Sequence, residues 1–122
     1  MDTKTLGKRG ETLATILLML KGYRIIRRNY RIKSSEIDII AKKGDTYVFA
    51  EVKTRSSDRF SKAVEAVDAF KQRRIIMGAM YFIAGHCEDE NARFDIIEVY
   101  RNEKSLFCRY RINHIKNAFD AD

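Results

Sequence analysis

The chain has 122 residues, 45% hydrophobic and 34% charged, with no proline and a formal net charge of +7. That length fits a single domain with a real core, and the composition excludes a disordered, fibrous or linker-divided chain. The start is polar and no apolar run exceeds residues 16–20, so neither a signal peptide nor a membrane span is expected, and the predicted compartment is the cytoplasm.

Leu6, Leu13, Ile16, Leu17 and Leu20 recur at helical spacing and Gly22 offers a stop, which predicts a helix over residues 4–21. Gly7, Gly10, Glu11 and Ala14 share one face of it, where small side chains allow close approach to a sheet and Glu11 points the same way. A strand follows over residues 23–31. Residues 36–40 and 47–53 then read as a hairpin, with Lys43-Gly44-Asp45 as its turn. A turn centred on Gly44-Asp45 sets Asp38 opposite Glu51 and Glu36 opposite Lys53. Ile37, Ile39, Val48, Ala50 and Val52 would fill the other face, with Ile40 and Phe49 beside the carboxylates.

Residues 56–61 form a polar loop. A second helix is predicted from Asp68, a favoured N-cap type, through Phe70, Ile75, Ile76, Met80, Phe82 and Ile83 to about Gly85. The polar stretch 86–92 ends it. Residues 94–100 and 106–112 alternate as two more strands, and the last ten residues read as a short turn docked by Ile115 and Phe119. The order α-β-β-β-α-β-β implies a single α/β domain over 1–122, a mixed sheet flanked by helices, with a parallel crossover through the second helix.

The positive surplus is entirely N-terminal. Residues 1–35 carry nine Lys or Arg against Asp2 and Glu11, while residues 36–122 carry fifteen of each sign. Lys4, Lys8, Arg9, Lys21, Arg24, Arg27, Arg28, Arg31 and Lys33 would give one side a positive field, suited to a polyanion. A solvated basic surface is the plainer explanation of charge alone; beside a carboxylate hairpin, nucleic acid is the better one. Cys87 and Cys108, the two cysteines, have no CxxC spacing or histidine cluster and read as small buried or incidental residues.

Facing carboxylates are destabilising unless something positive lies between them, and a divalent cation would satisfy that need. Hydrolysis of a phosphodiester asks for charge neutralisation at the phosphoryl oxygens and a hydroxide near neutral pH, which Mg²⁺ or Mn²⁺ supplies. Such hard cations select oxygen ligands. Asp38 and Glu51 are the candidate ligands, and Glu11 is a candidate additional acid. Lys53 would orient the attacking water or stabilise the oxyanion, and Arg55 would hold a phosphate. Glu-x-Lys alone is weak, since a cross-strand ion pair on a solvated face is the ordinary alternative. Charges embedded among core-forming residues need a further reason. For Lys71 a solvated lysine is the alternative to a phosphate contact; His86 and His114 have no catalytic partner in sequence and default to loop or surface.

These residues together resemble a known family. Gly7-Lys8-Arg9-Gly10-Glu11 with Ala14, Gly22-Tyr23 and Arg28-Asn29-Tyr30-Arg31 resemble the first helix and strand of the YraN-like family of small bacterial proteins. Glu36-Ile37-Asp38-Ile39-Ile40-Ala41 and Phe49-Ala50-Glu51-Val52-Lys53-Thr54-Arg55 resemble its acidic strand and its metal-site strand. Ala63-Val64-Glu65-Ala66-Val67 with Lys71, Arg93-Phe94-Asp95, and His114-Ile115-Lys116-Asn117-Ala118-Phe119 continue the match in order. Ser35 stands where the family usually has glycine, a difference of local backbone.

The resemblance implies the PD-(D/E)XK nuclease superfamily and a restriction-endonuclease-like fold akin to archaeal Holliday-junction resolvases. It implies Asp38 and Glu51 as Mg²⁺ or Mn²⁺ ligands, Lys53 as the catalytic lysine and Glu11 as an accessory acid. The expected activity is endonucleolytic cleavage of branched or structured DNA, with Lys8, Arg9, Arg28, Arg31, Arg55 and Lys71 as DNA contacts. A non-catalytic nucleic-acid-binding module of the same fold is the alternative. Junction resolution would further require a homodimer.

Overall fold

In a computed structural model of the chain, residues 3–56, 67–85, 91–102 and 109–121 are described. Helix α1 (Thr3–Leu20) leads to β1 (Arg24–Ile32), β2 (Ser35–Lys43) and β3 (Thr46–Ser56), then α2 (Ala69–Ala84), β4 (Asn91–Arg101) and β5 (Tyr110–Phe119). This is the order expected from sequence. The strands form one sheet in spatial order β1-β2-β3-β4-β5, antiparallel at every step except the parallel pair β3–β4. A parallel neighbour needs a crossover connection, and α2 lies within it.

Local chemistry ends each helix where the sequence says it should. Gly22 sits at φ +92; its N–H bonds to Met19 O at 3.0 Å and the Tyr23 N–H to Leu18 O at 2.9 Å. That is a Schellman closure, and Leu18 and Tyr23 then bury together as its apolar partners. At the start of α2 the Asp68 carboxylate accepts the Lys71 N–H at 2.9 Å, with Gly85 as the C-cap. Gly44, at φ +62, opens the two-residue β2–β3 turn, where a side chain would be strained.

The sheet is covered on both faces. Ala14 and Leu18 of α1 pack with Ile39, Ala41, Val48, Ala50, Ile97 and Val99. On the other face Ile75, Ala79 and Phe82 of α2 pack with Ile37, Ile40, Phe49, Phe94 and Ile96. Phe82 meets the rings of Tyr30, Tyr47 and Phe49 edge-on, at 5.6, 5.5 and 6.0 Å between centroids. Burying a ring of that size is worth about 1.5–3 kcal/mol, so the cluster fixes the rotation of α2 over the sheet. Contact is closest at two glycines. A Cβ on Gly10 would collide with Thr54 Oγ1, and one on Gly78 would stand 3.2 Å from Ile37 Cδ1. Gly7 has open space, so its smallness is not needed for the approach.

Several details differ from expectation. The buried stripe of α1 is Leu6, Gly10, Ala14 and Leu18, four residues apart, whereas Ile16 and Leu20 are exposed. On α2, Phe70 and Met80 are exposed and the small residues Gly78 and Ala79 face the sheet instead. Ile37 joins the α2-side core rather than the face of Ile39. The terminal turn is in fact the continuation of β5 to Phe119.

His114 therefore lies within a strand, and its side chain is 3% exposed. Its Nε2 is 2.7 Å from Asp95 Oδ2, while Arg93 grips Asp95 through Nε and Nη2 at 2.9 and 2.8 Å and reaches Tyr23 OH at 2.6 Å. The Asn117 N–H adds a 3.0 Å bond to Asp95. A buried carboxylate with these donors ties β4, β5 and the segment after α1 together. Residues 57–61, His86, Cys87 and Cys108 lie outside the described residues, as does most of the 86–92 stretch. Among the described residues, no helix is long and apolar enough to cross a membrane.

Candidate functional site

The β2–β3 ladder runs in the register expected of the hairpin, from Lys43↔Thr46 to Ile39↔Ala50. There the backbone pairing stops. β3 continues beside β4 to Ser56, and the Val52 N–H bonds to the carboxylate of Asp38, at 2.8 Å from Oδ2. Asp38 thus occupies the split between two strands, substituting a side chain for the missing backbone partner.

Glu51, one residue beyond the last pair, is 6% exposed and shares a hydrogen bond with the Asp38 carboxyl. Burial, the Asp38 charge and that hydrogen bond push the Glu51 carboxyl up from 4.5 to about 8, against the opposing pull of Lys71 and Lys53. Near neutral pH the pair therefore holds a proton. Two cations stand over it. Lys71 Nζ is 3.4 Å from Glu51 Oε1, and the Lys53 and Lys71 side chains are near enough to perturb each other. Burial and the neighbouring Lys71 ammonium lower the Lys53 ammonium below its ordinary 10.5, with Glu51 opposing.

The remaining predicted residues divide by position. Glu11, on α1, is partly buried; desolvation and the charge of Asp38 raise its carboxyl above the ordinary range, and Arg28 and a hydrogen bond from Asn29 counter them. It stands within the field of Asp38 and outside the carboxyl pair. Arg55 continues along β3 on the Lys53 face, and its buried Nε has no hydrogen-bond partner among the described residues. Arg28 reaches Thr12 at the outer surface. Arg31 is exposed and pairs with Glu36 at 3.4 Å, so Glu36 meets β1 rather than Lys53. Lys8 and Arg9 are exposed and line a separate cleft of about 410 Å³ with Leu13 and Tyr110.

Lys71 is the member whose place sequence reasoning underrated. Its signal was legible: positions 71, 75, 78, 79 and 82 form one stripe of α2, and the last four face the sheet. Glu98 was not singled out. It lies beside Lys53 in the β3–β4 register, buried, with its carboxylate accepting from Asn113 Nδ2 at 2.7 Å and from the Tyr100 hydroxyl. Those bonds mark it as structural.

Two touching carboxyls that retain a proton, with a third carboxyl nearby, have the hard oxygen chemistry of a divalent-cation site. A dication would replace the proton and favour both ionised forms. Among the described residues, however, no three of His, Cys, Asp and Glu already converge as a ligand group. Lys71 currently supplies the positive charge against Glu51.

Residues 10–99 match the model of a family described as "Uncharacterised protein family UPF0102". Proteins named UPF0102 are similar to the chain over almost its whole length. One from Clostridioides difficile is 46% identical over 121 residues, covering 98% of this chain and 100% of its own. One from Alkaliphilus oremlandii is 48% identical over 119 residues, covering 95% and 98%, and one from Caldanaerobacter subterraneus is 44% identical over 120 residues, covering 98% of each.

Proposed function

Since the chain belongs to the uncharacterised protein family UPF0102, we propose that it is a Mg²⁺- or Mn²⁺-dependent endonuclease acting on DNA, with branched or structured DNA as the preferred substrate. One observation carries this reading: the Asp38 and Glu51 carboxyls meet at the split between β2 and β3, under Lys53 and Lys71.

Asp38 and Glu51 would hold the cation, with Glu11 bearing on it through its charge. The bound cation would neutralise a phosphoryl oxygen and lower the pKa of the attacking water. Lys53, whose ammonium burial has already weakened, would orient that water or donate to the developing oxyanion. Lys71 would leave Glu51 for a phosphate oxygen, moving a cation from protein to substrate. Arg55, with a buried N–H unpaired among the described residues, would hold the next phosphate. Burial of Glu51 strengthens each of these interactions relative to water. Lys8, Arg9, Arg28 and Arg31, all exposed, would steer the polyanion from outside the site.

The resemblance to restriction-endonuclease-like nucleases agrees in the order of the elements and in the placing of the acid pair on adjacent strands. A second reading, a nucleic-acid-binding module without catalysis, is favoured by the Lys71–Glu51 contact and by the absence of a converged three-ligand group among the described residues. A panel of junction, flap, single-stranded and duplex DNAs with Mg²⁺ or Mn²⁺ separates the two. The nuclease reading expects cleavage that Asp38→Ala abolishes while DNA binding persists. If the wild-type chain cuts no member of the panel with either ion, the nuclease reading falls and the binding module stands.

A further inference from the structure

Beside the carboxyl pair, on the α2 face, lies a cleft of about 350 Å³ lined by Glu36, Asp68, Phe70, Lys71, Arg74 and Ile75. It adjoins the proposed site through Lys71, whose ammonium reaches Glu51. Phe70 is 62% exposed, and the Arg74 guanidinium lies over its ring, 5.5 Å from the centroid. Ile75 is buried beneath them. A lone exposed phenylalanine needs no explanation. One that forms the wall of a polar cleft, stacked with a guanidinium next to two lysines and a carboxyl pair, does.

The chemistry of this lining is specific. An aromatic ring and a planar guanidinium present flat surfaces, on which a nucleobase stacks. Lys71 and Arg74 suit the phosphate attached to that base. Glu36 and Asp68 carry acceptor oxygens for base N–H groups, although Asp68 already takes the Lys71 N–H and Glu36 pairs with Arg31. The volume lies at the low end of the roughly 300–1,000 Å³ of small-molecule pockets, which suits one nucleotide and excludes a duplex. A base inside a continuous duplex has both faces covered by its neighbours. Only an unpaired or splayed base can offer one to Phe70.

The geometry points to this cleft as a binding site for one unpaired nucleotide next to the scissile phosphate, with Phe70 and Arg74 as its stacking wall. The inference rests on the nuclease reading and sharpens it: the substrate is DNA with an unpaired nucleotide at the cut, and Phe70 is a positioning residue.

The test uses the full chain with Ca²⁺ in place of Mg²⁺, and two DNAs that carry 2-aminopurine either in a single-stranded gap or within continuous duplex. Affinity is read by anisotropy and stacking by 2-aminopurine fluorescence. The wild type is expected to bind the gapped DNA more tightly and to change its fluorescence. Phe70→Ala is expected to lose about tenfold or more in affinity for the gapped DNA, the scale of base–aromatic stacking, with duplex affinity unchanged. Phe70→Trp should retain the preference, and equal urea melts for all three proteins show that the exposed position leaves folding intact. Equal affinities of Phe70→Ala and wild type for the gapped DNA overturn the inference. So does a wild-type dimer that Phe70→Ala splits, which would give the ring to a protein interface. Loss of Mg²⁺-dependent cleavage is read separately: a wild type that cuts nothing removes the nuclease reading itself, whatever Phe70 does in binding.

Discussion

The protonated carboxyl pair makes a prediction about stability that needs no substrate. The folded chain holds a proton on Glu51 to about pH 8, whereas the unfolded chain releases it near 4.5. Between those values unfolding releases the proton, so the contribution is fully present below pH 4.5 and is lost as pH rises through 8. At about 1.36 kcal/mol per pH unit an isolated carboxyl would lose roughly 5 kcal/mol across this window. Lys53 and Lys71 titrate with it, so that figure is the ceiling of the expected loss. The assay is urea unfolding at intervals from pH 5 to 9 in EDTA. Glu51→Gln, which keeps the shape of the neutral acid, should flatten the profile and be the more stable protein at pH 8.5. Adding Mn²⁺ at about a hundred times its Kd should return about 2.7 kcal/mol to the wild type at that pH and nothing to Glu51→Gln. Parallel profiles for the two proteins would refute the buried pair, and a wild type indifferent to both Mg²⁺ and Mn²⁺ would refute the cation site.

Removing the ammonium beside Glu51 with Lys71→Met should let the carboxyl keep its proton to still higher pH, because Lys71 opposes the rise; the alkaline limb of the same urea profile should move upward. Asp95 behaves in the opposite sense. Burial alone would raise it, but hydrogen bonds from His114, Arg93 and the Asn117 N–H bring it down to about 2. Its contribution of roughly 2 kcal/mol is present above pH 3.8 and lost as pH falls toward 2. Asp95→Asn should therefore weaken the acid limb of the profile and cost about 3–5 kcal/mol at pH 7 by removing the negative charge that Arg93 pairs with. Gly10→Ala forces a Cβ to within 3.0 Å of Thr54 Cβ and into its hydroxyl. It should destabilise by about 1–3 kcal/mol, and Thr54→Ala in the same chain should recover part of that loss in equilibrium melts.

What could be read in advance was whatever local chemistry decides. The helix ends at Gly22 and Gly85, the N-cap at Asp68, the hairpin register about Gly44-Asp45 and the parallel crossover each follow from a few neighbouring residues. What could not be read depends on how the helices roll against the sheet. On α1 the expected approach of Gly10 and Ala14 to the sheet is met, Gly10 lying against Thr54, but the roll of the helix leaves Gly7 in open space and puts Ile16 and Leu20 outside. On α2 the same logic turns Gly78 and Ala79 inward and Phe70 and Met80 outward. Small residues permit the closest packing, and hydrophobicity alone does not reveal that preference. His114 was misplaced because the polar residues of β5 hid a strand whose partner, Asp95, is distant in sequence.

The site itself follows from the point where a ladder fails. Had β2 and β3 stayed paired through Asp38 and Glu51, the Val52 N–H would have gone to a backbone carbonyl and Asp38 would be an ordinary cross-strand residue. Instead β3 keeps β4 and loses β2 after Ala50, and the freed N–H orients the Asp38 carboxylate toward Glu51. The rotation of α2 that Phe82 fixes then delivers Lys71 to Glu51. Strand divergence brings the acids together, and helix packing supplies the cation that keeps them there without metal. A substrate phosphate and a dication would divide those two partners between them, the dication taking the carboxyls and the phosphate taking Lys71, so each frees what the other needs. Their binding should therefore be mutually reinforcing: Mn²⁺ affinity measured calorimetrically should rise in the presence of a non-cleavable phosphorothioate DNA, and Lys71→Met should abolish that coupling. Equal Mn²⁺ affinity with and without the DNA would show that Lys71 does not move between the two.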